Sequence, residues 1–69
     1  MNTLKAGQLW QHDKTDTTIL LLKSDLLKEP VVGETVVMWT CQWWNGNKSQ
    51  VQHFSETGIL QFWRQLNDV

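Results

Sequence analysis

The sequence predicts an all-β fold of five strands packed around a small core. Three observations carry that expectation. Runs rich in β-branched and aliphatic residues fill 17–23 and 34–43, the second run alternates with a period of two, and Asn45-Gly46 follows it directly. Asn-Gly after an alternating run is the strongest short-range hairpin signal.

Gly7 opens the first strand, Gln8–Asp13, in which Trp10 and His12 share a face. The polar stretch at 13–16 suits a turn, since Asp side chains accept hydrogen bonds from the following backbone amides. Thr17–Lys23 reads as a strand buried on both faces. Residues 24–33 read as a long loop holding at most one helical turn. Ser24 or Asp25 can cap such a turn, while Pro30 drives the residue before it out of helical space and Gly33 closes the loop. Leu26, Leu27, Val31 and Val32 are too apolar for a solvated loop, so they either fold back over the sheet or meet a partner.

The longest predicted strand is Glu34–Trp43. Its odd positions, Val37, Trp39, Cys41 and Trp43, are uniformly apolar, and its even positions turn polar toward the C-terminal end. The odd face therefore points to the core, with Trp39 and Trp43 in it. Two hairpin registers follow. A two-residue Asn45-Gly46 turn pairs Trp44 with Asn47, and a three-residue Trp44-Asn45-Gly46 loop pairs Trp43 with Asn47. The second sets Val51 opposite Trp39 and is preferred for burial; both put Trp44 off the core face. A polar turn at 53–58, with one short helical turn at about 54–57, leads to a last strand at 59–66. In that strand Leu60, Phe62 and Leu66 share one face, while Ile59 and Trp63 share the other.

This order resembles the SH3-like small β-barrels, and in particular a group of short bacterial and phage proteins of mostly unknown function. The matching pieces are Gly7, Trp10 and His12; Ile19–Leu22; Val36–Trp39; Phe54–Glu56; and Phe62–Leu66. The resemblance implies that residues 1–69 form one five-stranded SH3-like barrel. It carries no catalytic residues. The 24–33 loop and the doubled Trp43-Trp44 depart from its pattern.

Sixty-nine residues lie near the lower limit for folding without staples, and five tryptophans partly offset that limit. A homo-oligomer would relieve the surface-to-volume ratio further. The net charge is −1, and the six cations are scattered singly, which argues against a partner made of long nucleic acid. One cysteine allows no internal disulfide and fits a reducing compartment. No signal-peptide pattern or span-length apolar run occurs, so a cytoplasmic protein with no membrane partner is expected.

The residues capable of chemistry do not form a recognisable motif. His12, His53, Cys41 and Asp13 lack metal-ligand spacing, so neither a metal nor another cofactor is expected. Cys41 lies mid-strand among apolar neighbours that raise a thiol's pKa, which disfavours a nucleophile. The leading expectation is a non-catalytic binding module acting through exposed aromatic and aliphatic side chains: Trp44, Trp10, Trp63, Lys48, Arg64, Leu26 and Leu27. Its expected partner is a protein, and by analogy the chain is a phage or mobile-element accessory protein that blocks a host factor. The alternative is an oligomeric sponge that stacks a nucleotide or another signalling molecule on Trp44 or Trp10 and pairs its charge with Lys48 or Arg64. A third reading is a small enzyme using Cys41, His12 or His53.

Overall fold

The alternating stretch that begins near residue 34 becomes the spine of a five-stranded antiparallel sheet. A computed structural model describes residues 4–28, 33 and 35–67. The strands are β1 (Leu9–His12), β2 (Thr18–Lys28), β3 (Thr35–Asn45), β4 (Lys48–Ser55) and β5 (Trp63–Gln65), with helix α1 (Glu56–Phe62) between the last two. Their order across the sheet is β4-β3-β2-β1-β5, and every described pairing is antiparallel.

Directly opposed residues share a face, so the register sorts the side chains. One face carries Trp10, Ile19, Leu21, Trp39 and Cys41, which with Leu4 and Ile59 of α1 make the buried core. Val37, Trp43, Phe54 and Trp63 are half-buried and pack against it. The odd face of β3 is therefore the core face, as its period predicts. Burial of β2 is one-sided, however: Ile19 and Leu21 are buried, while Leu22 is exposed.

The sheet is open, which corrects the expectation of an SH3-like barrel. Among the described residues β4 pairs only with β3, and β5 pairs only with β1. Residues 59–62, read from sequence as strand, belong to α1, so β5 keeps three residues and cannot run on to meet β4. Ser55 caps the helix by accepting from the Gly58 N–H at 3.1 Å, and Ile59 plugs the core from above. Across the gap the Phe54 ring lies edge-on to Trp63, with centroids 5.4 Å apart.

Two further corrections concern β2 and the hairpin. Residues 24–28 are strand, not loop, because pairing with Thr35–Trp39 outweighs the local preference of Ser24 and Asp25 for a turn. A bulge lies between Leu21 and Lys23, so the core-face positions change from odd (Ile19, Leu21) to even (Ser24, Leu26). Val31 and Val32 lie outside the described residues. The hairpin adopts neither predicted register: Asn45 pairs with Lys48, Trp43 with Gln50 and Trp39 with Phe54. The turn is Gly46-Asn47, with φ of +61° at Gly46 and no positive φ at Asn47, the pattern of a type II′ turn. Asn45 instead ends β3, where its amide donates to Thr17 Oγ1 at 2.9 Å.

Candidate functional site

The residues singled out from sequence do not converge. Trp10 is buried and donates its indole N–H to Gln8 Oε1 at 3.2 Å, so its ring faces are not open for stacking. Trp63 is half-buried, held edge-to-face by His12 at 5.1 Å and by Phe54. Trp44 is 36% exposed and sits on the outer face, in a cross-strand row that runs Arg64, Gln11, Thr18, Trp44, Ser49. Arg64 donates to Gln11 Oε1 at 3.1 Å. Three strand spacings, roughly 14 Å between backbones, separate Arg64 from Trp44. Lys48 is exposed beside the Gly46-Asn47 turn at that same end.

Leu26 and Leu27 lie at the other end of the sheet. Leu26 pairs with Val37, and Val37 is seven residues from Trp44 along β3, roughly 23 Å at a strand's rise per residue. These leucines belong to an arm in which β2 and β3 run on beyond the other strands. β1 pairs with β2 only at Thr18–Leu20, and β4 ends at Ser55 opposite Met38. Leu26 is 71% exposed, the highest value among the described large hydrophobic residues, with Leu27 at 53% and Leu22 at 43%. Leu26 and Val37 continue the core face outward, while Leu27, Val36 and Met38 occupy the opposite face. A cleft of about 360 Å³, lined by Thr35, Val36, Val37, Glu56 and Thr57, adjoins the arm beside the start of α1.

The arm's free edge has a defined polarity. Leu21 donates to Gln8 O and accepts from the Gly7 N–H, so its backbone groups turn away from β3. Antiparallel ladders alternate, so Gln42, Thr40, Met38 and Val36 turn toward β2. Lys23, Asp25 and Leu27 answer them, which leaves the backbone groups of Ser24, Leu26 and Lys28 directed to the open side. Sequence reasoning missed Leu22, Val36 and Val37 as parts of this surface. For Leu22 the signal was the unbroken apolar run Ile19–Leu22.

Catalytic groups are dispersed. Cys41 is fully buried on the core face, its thiol pushed up to about 11 by burial and directed at Trp39 O. His53 pairs with Thr40 on the outer face, so the sheet itself separates it from Cys41. Among the described residues, no three of His, Cys, Asp and Glu come together in a way that could hold a metal ion. No helix among them is long and apolar enough to cross a membrane. Comparison with protein-family models, curated proteins and solved structures finds no match. The phage setting rested on the barrel resemblance and falls with it.

Proposed function

We propose that this protein is a binding module whose contact surface is the β2–β3 arm and whose target is protein. One observation carries the reading: exposed Leu22, Leu26 and Leu27 lie along a strand whose outer backbone groups, beyond Leu21, have no sheet neighbour among the described residues. An open edge bearing large apolar side chains is a template for strand addition, in which backbone hydrogen bonds give affinity and alternate side chains give specificity. Lys23 and Lys28 on the same strand discourage indiscriminate pairing, so an occupant must suit their positions. The centre of the proposed surface thus moves from Trp44 to Leu26.

The test places a photo-crosslinking residue in turn at Leu26, at Trp44 and at the exposed helix position Leu60, in cells expressing the full chain. Adducts with protein are expected from Leu26 and none from Leu60. Adducts from Trp44 alone would return the surface to the hairpin end, and no adduct at any position would end the reading.

A further inference from the structure

We propose that Asn45-Gly46 is a self-modification site that the folded hairpin holds shut, and that local opening of the hairpin lets Asn45 convert to aspartate and isoaspartate. Of Asn2, Asn45, Asn47 and Asn67, only Asn45 precedes a glycine. Gly46 has no side chain to shield its backbone nitrogen, and even a Cβ placed there would meet nothing within 4 Å. Both residues are exposed, so water reaches them and burial gives no protection. Protection at this site is conformational.

The reaction needs no partner but water. The Gly46 nitrogen attacks Cγ of Asn45, a new C–N bond forms, and the bond from Cγ to Nδ2 breaks. The proton lost from the Gly46 nitrogen passes through solvent to the departing group, which leaves as ammonia. Water then opens the five-membered imide at either carbonyl. One opening gives aspartate with the main chain as before; the other routes the main chain through Cβ and Cγ as isoaspartate. Nothing is oxidised or reduced.

The fold withholds the required geometry in two ways. Ring closure needs Cβ and the Gly46 nitrogen near one plane about the Asn45 Cα–C bond, whereas a strand ψ of about +135° turns them far out of it. Asn45 is the last residue of β3 and pairs with Lys48, so that rotation breaks the pairing that closes the turn. The side chain is restrained as well. Its Nδ2 donates to Thr17 Oγ1 at 2.9 Å, and Thr17 is buried just before β2. Thr17 is fixed in turn by Thr15, whose Oγ1 lies 2.9 Å from Thr17 Oγ1 and accepts from the Thr17 N–H at 3.2 Å. The amide is thus tied to the neighbouring strand while the nitrogen it would meet lies in the turn. Isoaspartate adds a main-chain carbon directly before a two-residue turn, so the pairing of residue 45 with Lys48 is not recovered on refolding.

The full chain is incubated at neutral pH and physiological temperature, native and in guanidinium chloride above its unfolding transition. Peptide mapping follows aspartate and isoaspartate at position 45, and isoelectric focusing reads the same event as one added negative charge. Native conversion is expected to be slower by about tenfold or more. Thr17→Val removes the acceptor and should speed native conversion roughly two- to tenfold, the equivalent of one hydrogen bond, with the unfolded rate unchanged. Ile59→Val weakens the core far from the hairpin and should leave native conversion at the rate of the original chain. Equal native and unfolded rates in the original chain, a comparison that needs no variant, would overturn the proposal. A Thr17→Val chain that converts no faster, or an Ile59→Val chain that gains as much as Thr17→Val, would overturn it too.

Discussion

Ile59→Val tests how this small sheet holds together. Ile59 is fully buried and is the only buried residue of α1, so it alone carries the helix's share of the core. Removing one buried methylene costs about 1 kcal/mol, within a usual range of roughly 0.5–1.5. With a urea m-value of about 1 kcal/mol/M for so small a chain, the midpoint should fall by about 1 M. The same loss should lower Tm by about 4–8 °C. Ile59→Ala would cost about 2–5 kcal/mol, comparable to the whole stability of a scaffold this size, and so would unfold the chain instead of measuring the contact. Tryptophan emission reports the transition, since Trp10 and Trp39 are buried in the same cluster. Leu60→Ala is the control: Leu60 is itself 39% exposed, and its truncation should move stability by no more than about 0.5 kcal/mol. If Ile59→Val and Leu60→Ala shift the midpoint equally, α1 is not docked on the core face and the account of the open sheet fails.

Two other perturbations reach different parts of the fold. Burial pushes the Cys41 thiol from 9.0 up to about 11, so its share of thiolate at pH 8 falls from about one in ten to about one in a thousand. A chromogenic disulfide reagent should leave the native protein untouched and react once urea unfolds it; reaction on mixing would contradict the burial. Because the folded-state pKa is the higher one, the thiol's contribution to stability is complete below pH 9 and is lost as pH rises toward 11, visible as a falling urea midpoint across that window. At the hairpin, Gly46→Ala meets no atom within 4 Å but must hold a φ of +61°. It should cost about 1 kcal/mol in thermal melts through backbone strain alone, and an unchanged Tm would refute the type II′ turn.

The resemblance to a barrel failed at a single segment. Residues 59–66 alternate well enough to read as a strand, with Leu60, Phe62 and Leu66 on one side. In the structure Ser55 caps a helix there and Ile59 finds the core, which leaves Leu60, Phe62 and Leu66 exposed. Over so few residues, strand and helix periods are not separable by pattern alone. The site suffered a similar loss: Leu26 and Leu27 were recognisable as too apolar for a loop, but their strand and its open edge were not.

By itself the sequence determined what depends on neighbours along the chain. Strict alternation over Val37–Trp43 put Trp39 and Cys41 in the core, and the same parity kept Trp44 off it. The number of strands and the existence of a short helix before the last one also follow from local composition. Tertiary structure decided what depends on pairing. The hairpin turn is Gly46-Asn47 and not the preferred Trp44-Asn45-Gly46 loop, a register shift of three that pairs Trp39 with Phe54 in place of Val51 and Cys41 with Gln52 in place of Ser49. The bulge after Leu21 reversed the facing of the rest of β2. A side-chain period of two means that a one-residue change in register exchanges the faces of a strand. No local signal in Ser24 through Lys28 states which face lies inward; that is settled by the partner strand, and it is what leaves Leu26 exposed on an open edge.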